Sequence, residues 1–503
     1  MFLKKIVLFL LDYLKNNNQV ESKTPLEFLL NFREKTALEV KPLRFTYTRL
    51  NSLMRTLEIT QLDKYNALTD VANFVTLLAT YKEGFQIIAE PNGIVTPGVT
   101  EKLLQMCCLD AAIAIKPVLD TFQSVIITSG TLSPIELYPK LLNFQPKIRE
   151  SFPMTTFRHC LKPLIVSKGS DQTPISTSFS MRVDASILLN YGKLLVEAAK
   201  NVPDGICCFF TSYQYMEQIV SFWDKAGVLV EASQHKLIFL ETKDVVETTL
   251  ALDNFKRACD CGRGAIFLSI ARGKVAEGVD FDRHYGRCVI LYGVPYQYTK
   301  SYVLNARLDF IWEHHQINRQ DFLTFDALRQ SAQCVGRVIR SKTDYGLVIL
   351  ADSRYGKRDK LSRFPPWIRQ FVLDASTNIS VDSAVSQMKS FLREMGQPID
   401  DSMLRSILLT EAQVNQRRLI YRVADSVADA GGSYGVVAPT EMRQNSPGPT
   451  FDKGAIITDD ADYGDIVNED EEKYLEEIYQ QEVEKIPISS ELSKRSREDF
   501  DIA

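Results

Sequence analysis

The feature that most limits the fold is a series of short apolar runs that do not alternate with polar residues. Segments with helical spacing of apolar residues, such as 187–199, 215–223 and 325–339, lie between the runs. Strands that are apolar at every position are buried on both faces, as in a parallel sheet that helices cover on each side. The sequence therefore predicts an α/β fold. The predicted strands are 206–210, 237–240, 265–269, 288–292 and 346–351, with a further β-branched run at 124–128.

The rest of the chain differs from this region in composition. A chain of 503 residues is too long for one core and predicts roughly three domains. Residues 1–105 have mostly helical patterns, and helical patterns resume from 363 to about 422. Residues 430–503 are predicted to be largely disordered, with a short helix near 474–483.

The charge is distributed unevenly along the chain. From residue 451 onward, 17 acidic residues stand against 6 basic ones, a balance of −11. Because the whole chain has a formal net charge of −4, residues 1–450 carry +7. A mildly basic body with an acidic tail is compatible with a nucleic-acid partner but does not require one.

Neither the N-terminus nor the cysteines indicate a membrane or a metal site. Residues 1–11 have too short an apolar run for a secretory signal, so a packed amphipathic helix is the favoured interpretation. No stretch reaches the roughly 20 apolar residues of a membrane span. The nine cysteines are scattered and lack metal-ligand spacing, which is typical of a reducing compartment and predicts no metal in this chain.

Two groups of polar residues follow predicted strands, where ligands of α/β sheets bind. Ser129, Gly130 and Thr131 follow the 124–128 run and could bond a phosphate or relay contacts between domains, although a capped turn explains them equally simply. The second group follows 265–269 and could bind an anion through its glycines and cations, or form a solvated loop. Within it, an aspartate could hold a ribose hydroxyl or orient an arginine. The second group comprises Arg272, Gly273, Lys274, Glu277, Gly278 and Asp280.

A third group ends a helical pattern and precedes the 346–351 strand. Gln333, Arg337 and Arg340 are spaced by four and three residues, which on a helix places them on one face. The glutamine could orient water or a phosphate oxygen, and the arginines could neutralise charge on a transferring phosphoryl group. The alternative is an exposed basic helix face. The nearby Gly336-x4-Ser341-Lys-Thr segment is no P-loop, because it lacks the second glycine and follows a helix rather than a strand.

Five segments in one order resemble the XPD/Rad3 helicases, which are iron–sulfur helicases of superfamily 2. They look like motifs III, IV, V and VI of that family, with its VPY segment between V and VI. In sequence, these segments are more similar to the subunit of transcription factor TFIIH than to relatives in cross-link repair or telomere maintenance. The resemblance runs from about 40 to about 400. The segments are TSGTLSP (128–134), PDGICCFFTSYQYM (203–216), ARGKVAEGVDF (271–281), YGVPY (292–296) and QCVGRVIRSKTDYG (333–346).

The resemblance implies a domain organisation. Residues 1–105 would be a helical remnant of the arch domain, and 106–155 the end of RecA-like lobe one with its closing strand. Residues 156–425 would form RecA-like lobe two with C-terminal helices, and 426–503 the acidic tail.

The resemblance also implies roles for matching residues. The catalytic group Gln333, Arg337 and Arg340 would face the ATP γ-phosphate between the two lobes. The nucleotide would be bound by Glu277, Gly278 and Asp280. Four residues would lie towards the DNA backbone: Ser212, Tyr213, Arg272 and Lys274. The two lobes would be coupled by Thr128, Ser129, Gly130 and Thr131.

The resemblance implies a 5′–3′ ATP-dependent DNA helicase that acts in nucleotide excision repair and transcription initiation within TFIIH, in the nucleus. Its cofactors would be ATP and Mg²⁺, and its partners DNA, TFIIH subunits and a lobe one that is missing or separately encoded. The family's Walker A loop, D-E-x-H box and four iron–sulfur cysteines are absent from this sequence. We therefore expect the isolated chain to be inactive. Two alternatives remain: a non-catalytic platform for TFIIH subunits, and a generic single-strand binder.

Overall fold

The computed structural model describes residues 2–59, 62–91, 102–154, 156, 158–341, 344–398, 410–412 and 415. The predictions for the acidic tail, and for the helices between 399 and 422 apart from the few residues just named, lie outside this part of the chain. Two compact units are present. The described residues within 1–150 and 296–326 form the N-terminal unit, and those within 151–295 and 327–415 form the α/β unit. Within the described residues, no helix combines the length and apolar character needed to cross a membrane.

The N-terminal unit is a helical assembly around a small antiparallel sheet. The sheet has the order β1-β2-β3, with both pairs antiparallel. A 3₁₀ turn at Leu62–Tyr65 precedes α5. The elements up to residue 150 are α1 (Phe2–Asn16), β1 (Glu21–Lys23), α2 (Pro25–Thr36), α3 (Val40–Leu43), α4 (Thr46–Thr56), α5 (Asn66–Thr80), β2 (Phe85–Glu90), β3 (Leu103–Cys108), α6 (Ala112–Thr121) and α7 (Leu137–Leu141).

The prediction of a packed amphipathic helix at the start of the chain is confirmed. Ile6 and Phe9 of α1 are buried against Phe28 and Phe32 of α2, with aromatic rings edge to face. The start of α2 is fixed by a capping box, in which the Thr24 hydroxyl accepts from the Glu27 amide and the Glu27 carboxylate accepts from the Thr24 amide. The prediction that 1–105 is mostly helical missed β1, β2 and the start of β3, because short antiparallel strands leave little periodic signal.

The α/β unit is built on a seven-stranded sheet in which every pair is parallel. Its strand order is β10-β4-β9-β8-β5-β7-β6. In chain order, the elements are β4 (Leu161–Lys168), α8 (Ala185–Asn201), β5 (Gly205–Phe210), α9 (Tyr213–Lys225), α10 (Val228–His235), β6 (Leu237–Leu240), α11 (Val245–Asp260), β7 (Ala265–Ile270), α12 (Lys274–Gly278), β8 (Cys288–Tyr292), α13 (Tyr302–His315, in the N-terminal unit), α14 (Arg319–Val335), β9 (Gly346–Leu350), α15 (Arg358–Leu361), α16 (Pro366–Arg369), β10 (Ile379–Ser380) and α17 (Val381–Met395).

The predicted parallel sheet is confirmed, and its strands β5 to β9 lie where the apolar runs placed them. Residues of β5, β7, β8 and β9 are buried at every position, as strands covered on both faces must be. The largest side chains of this core, Trp223, Tyr191 and Tyr292, are fully buried among the sheet and its helices.

Two strands of this sheet were not predicted. β4 contains Pro163, which is unusual inside a sheet because proline has no backbone N–H to donate. It pairs with β9 along 161–165 but with β10 only near Val166 and Lys168, so Pro163 lies where β4 has a neighbour on one side. β10 has only two residues, too few for a sequence pattern.

The predicted strand at 124–128 is wrong. These residues have no strand structure, and Ile126 is 90% exposed. A β-branched run forms a strand only where another strand accepts and donates hydrogen bonds, and no strand of the described chain pairs with this one.

Candidate functional site

The candidate site lies at the carboxyl edge of the α/β unit's sheet. Because all strands are parallel, the segments after β5, β6, β7 and β9 emerge at the same edge. The end of α14 reaches this edge through two buried contacts: the Gln330 side-chain amide and the Cys334 thiol both donate to the carbonyl of Ala271, which directly follows β7. The residues predicted after 265–269 and those predicted around 333–340 are therefore neighbours in space.

Arg337 and Arg340 meet at one carboxylate. The Arg337 guanidinium donates from Nη1 to Asp280 Oδ1 at 3.0 Å, from Nε to the Ala276 carbonyl at 2.8 Å and from Nη2 to the Glu277 carbonyl at 2.6 Å. Arg340 donates to the same Asp280 oxygen from Nη2. Asp280 therefore holds the two guanidinium groups side by side.

The two arginines differ in burial. The Arg337 side chain is 9% exposed, whereas that of Arg340 is 41% exposed and that of Asp280 is 58% exposed. Arg337 has five N–H donors, of which the three bonds above use three. Two cations beside one carboxylate leave a formal excess of one positive charge, so the cluster can still attract an anion.

The prediction that Gln333, Arg337 and Arg340 lie on one helix face is wrong. α14 ends at Val335, so only Gln333 is helical. The chain then tightens into a turn in which the amides of Arg337 and Val338 donate to carbonyls three residues earlier. The buried carboxylate of Asp344 accepts from the amides of Arg340 and Ser341 and fixes the end of this turn.

The remaining predicted nucleotide residues are less constrained. Gln333 is partly buried in the last turn of α14, and its side chain makes no hydrogen bond to another described residue. Glu277 contributes its backbone carbonyl to Arg337, while its side chain is exposed. A Cβ added at Gly278 would meet nothing within 4 Å, so packing does not require glycine there.

A buried carboxylate that the sequence did not reveal lies beside this cluster. Glu241 directly follows β6 and is 1% exposed. Its Oε1 accepts from the Tyr213 hydroxyl at 3.0 Å and from the Lys274 amide at 3.0 Å, and its Oε2 accepts from the Ser269 hydroxyl at 2.5 Å and from the Ile270 amide at 3.3 Å. The only sequence signal was its position directly after a predicted strand.

Glu241 changes the interpretation of the loop after β7. The sequence suggested that Gly273 leaves room for a bound anion. In the structure the space is filled by the Glu241 carboxylate, whose oxygens would lie 2.6 and 2.7 Å from a Cβ at Gly273. The anion at this loop is therefore a side chain of the protein itself.

The four residues predicted to face nucleic acid lie at this edge with defined bonds. The Ser212 hydroxyl caps α9 by accepting from the Tyr215 amide. Burial and the neighbouring Glu241 carboxylate raise the pKa of Tyr213 to about 12, and the Tyr213 hydroxyl donates to that carboxylate. Arg272 donates from Nε and Nη2 to the Pro295 carbonyl, and the exposed Lys274 donates from Nζ to the Lys243 carbonyl.

The predicted coupling residues belong to the N-terminal unit. Ser129 and Thr131 form a local turn in which the Thr131 amide donates to the Ser129 hydroxyl at 3.2 Å. The Tyr138 hydroxyl donates to the Thr131 carbonyl. Thr128 and Gly130 are exposed in the same irregular segment, and a Cβ at Gly130 would meet nothing within 4 Å.

The described residues do not fit a resident metal centre. They contain no group of three or more His, Cys, Asp or Glu side chains placed to hold a metal ion.

Two family models match the chain. Residues 195–371 match the model described as the helicase C-terminal domain, which covers the carboxyl edge from β5 to β9. Residues 1–84 match the helical and beta-bridge domain.

Curated relatives match over most of the chain. The "General transcription and DNA repair factor IIH helicase subunit XPD" of Arabidopsis thaliana is 54% identical over 412 residues, 81% of this chain and 54% of the relative. The corresponding "XPD/RAD3" subunit of Saccharomyces cerevisiae is 50% identical, over 79% of this chain and 51% of its own. A "Regulator of telomere elongation helicase 1 homolog" of Drosophila sechellia is 28% identical, over 62% of this chain and 34% of the relative. The nearer resemblance to the TFIIH type is confirmed, and the chain spans about half the length of these TFIIH-type relatives.

Proposed function

The chain belongs to the XPD/Rad3 helicase family, and from that premise we propose that its α/β unit supplies one face of the ATP site in an ATP-dependent DNA helicase. The observation that carries the proposal is the cluster of Arg337, Arg340 and Asp280 at the carboxyl edge of a parallel sheet. A triphosphate binds at such an edge when cations face it.

The cluster would act on charge that develops during phosphoryl transfer. Asp280 holds the two guanidinium groups together, and Arg337 is fixed further by two backbone carbonyls. A cation held in advance stabilises the transition state without reorganising during the reaction. Gln333, at the end of α14, would orient the attacking water.

The other face of the ATP site would come from a lobe that carries a P-loop lysine and the carboxylates for Mg²⁺. Neither motif occurs in this sequence. We therefore propose that the chain alone does not hydrolyse ATP, and that an iron–sulfur cluster, where the assembled helicase has one, is bound outside the residues of this chain.

The domain assignments made from the sequence are carried forward as proposals. Residues 1–105 would belong to the arch domain, 106–155 to the end of lobe one and 156–425 to lobe two, with 426–503 as a tail. The match of 1–84 to a helical and beta-bridge model and of 195–371 to a helicase C-terminal model supports the first and third. Thr128 to Thr131 would couple the lobes.

The biological setting is inferred from the relatives, whose names place them in a transcription and DNA repair factor. We propose TFIIH subunits and DNA as partners, 5′–3′ polarity, nucleotide excision repair and transcription initiation as processes, and the nucleus as location. Ser212, Tyr213, Arg272 and Lys274 would lie along the DNA backbone. The exposed Lys274 ammonium has further N–H donors beyond the one that it gives to the Lys243 carbonyl.

Reconstitution tests this proposal. The purified chain is expected to show no DNA-stimulated ATP hydrolysis above background. Adding a separately expressed lobe one with its P-loop and D-E-x-H box is expected to produce turnover, because the two faces then enclose one triphosphate. A P-loop Lys→Ala form of the added lobe is the matched control and should stay inactive.

Two outcomes would contradict the proposal. Hydrolysis by the chain alone would show that it holds a complete site. Failure of a correctly folded lobe one to restore turnover, with TFIIH subunits still bound, would favour the non-catalytic platform.

A further inference from the structure

The buried Glu241 carboxylate is hydrogen-bonded to two segments that the proposed function assigns to nucleic acid. Ser212 and Tyr213 follow β5, and Arg272 to Lys274 follow β7. Glu241 follows β6, which is the edge strand next to β7. Through one side chain it bonds to the Tyr213 hydroxyl and to the Lys274 amide.

The burial of this carboxylate is sustained by hydrogen bonds. A carboxylate removed from water is destabilising unless donors satisfy it. Here two hydroxyls and two backbone amides do so, with donor–acceptor distances of 2.5 to 3.3 Å. Donors from α9, β7 and α12 therefore share one acceptor, which fixes the relative positions of the two segments.

The segment after β6, which contains Glu241 and Lys243, also holds the end of the Lys274 side chain. The Lys243 carbonyl, two residues after Glu241, accepts from Lys274 Nζ at 2.8 Å. Lys274 is thus held at its backbone by Glu241 and at its ammonium by Lys243, while its side chain stays exposed. An exposed cation in a fixed position is suited to a phosphate of a nucleic-acid backbone.

Gly273 depends on the same contact. Its φ is negative, so glycine is not required by backbone conformation. It is required by space, because a Cβ would lie under 3 Å from three atoms of the Glu241 carboxyl group. The close approach of the loop to Glu241 is therefore a specific feature of the fold.

We infer that Glu241 is a positioning residue for nucleic-acid binding, which sets Lys274, Arg272 and Tyr213 along one backbone-binding edge. The inference rests on the proposed function, in that this edge faces nucleic acid. Glu241 does not touch the nucleic acid. It acts by fixing the positions of Tyr213 and of the loop after β7, which contains Arg272 and Lys274.

The test is binding of a fluorescent oligothymidylate to the full chain, measured by anisotropy over a range of salt concentrations. Glu241→Gln keeps the shape but replaces one acceptor oxygen by an NH₂ group, so either the Lys274 or the Ile270 amide loses its partner. We expect affinity to fall about tenfold. The negative slope of log K against log[salt] should become less steep by about 1, as for loss of one phosphate contact. Glu247→Gln, the same change at an exposed glutamate of α11, should alter neither.

The salt slope separates positioning from general destabilisation, because a variant that is only less stable keeps the contacts of its folded fraction. A double variant adds a second criterion: in a Lys274→Ala background, Glu241→Gln should cause a much smaller further loss, since the two act through one contact. Unchanged affinity and slope in Glu241→Gln, with the unsubstituted chain binding DNA, would overturn the inference alone. Absence of DNA binding by the unsubstituted chain would overturn the proposed nucleic-acid edge and the role of Glu241 with it.

Discussion

Residues 124–128 and β8 have the same kind of sequence and different structures. SVIIT and CVILY are both short, apolar and β-branched. β8 pairs with β5 on one side and β9 on the other, and all five of its residues are buried. Residues 124–128 pair with no strand of the described chain, and Ile126 and Ile127 are exposed. Composition thus sets a tendency towards strand, and a neighbouring strand decides whether it is realised.

A similar contrast exists between the residues that follow β7 and those that follow 124–128. After β7, the loop of Arg272 to Lys274 is fixed by bonds to Glu241, Lys243 and Pro295. After 124–128, Ser129 and Thr131 bond mainly to each other. The loop after β7 is therefore held by bonds to three other segments, whereas Ser129 and Thr131 form a local turn.

The largest expected effect that tests this contrast is on stability. Ile290→Ala in β8 removes a fully buried side chain and should lower the free energy of unfolding by about 2–5 kcal/mol, because it leaves a cavity. Ile126→Ala removes a side chain that is 90% exposed and should change it by no more than about 0.5 kcal/mol. Urea-induced unfolding followed by circular dichroism measures both.

Both variants delete the same atoms, so each is the control for the other. Equal destabilisation by the two substitutions would mean that 124–128 is packed in solution, and the contrast would fail.

A smaller effect is expected at two glycines. Gly273→Ala would push a methyl group against the bonded Glu241 carboxylate and should cost about 1–3 kcal/mol. Gly130→Ala meets open space and should change stability by about 0.5 kcal/mol or less. The same unfolding measurement applies, and a Gly273→Ala chain as stable as the unsubstituted one would show that the loop moves freely away from Glu241.

Much of the fold could be predicted because buried parallel strands are apolar at every position. β5, β6, β7, β8 and β9 were predicted on this basis. β4 was missed because Pro163 argues against a strand, and its tolerance depends on which neighbour lies alongside, which only the assembled sheet shows.

The site was predicted in part. Asp280 and Arg337 are separated by 57 residues, and their proximity follows from the crossing of β7 and α14 at one sheet edge. The spacing of Gln333, Arg337 and Arg340 predicted one helix face, but α14 ends at Val335. The two arginines are close together because both form ion pairs with Asp280. Glu241 was missed because a single glutamate after a strand carries no pattern; its role depends on four donors from three other elements.

The central claim is that the Arg337 cluster completes an ATP site whose other face lies on a P-loop lobe. The most direct measurement is the kcat of ATP hydrolysis in the reconstituted pair, comparing Arg337→Ala with Arg393→Ala, an exposed arginine in the last turn of α17. We predict a loss of roughly 10³-fold or more for Arg337→Ala, the range of an arginine that stabilises phosphoryl transfer, and no loss for Arg393→Ala. A reconstituted pair in which Arg337→Ala hydrolyses ATP as fast as the unsubstituted chain would contradict the claim.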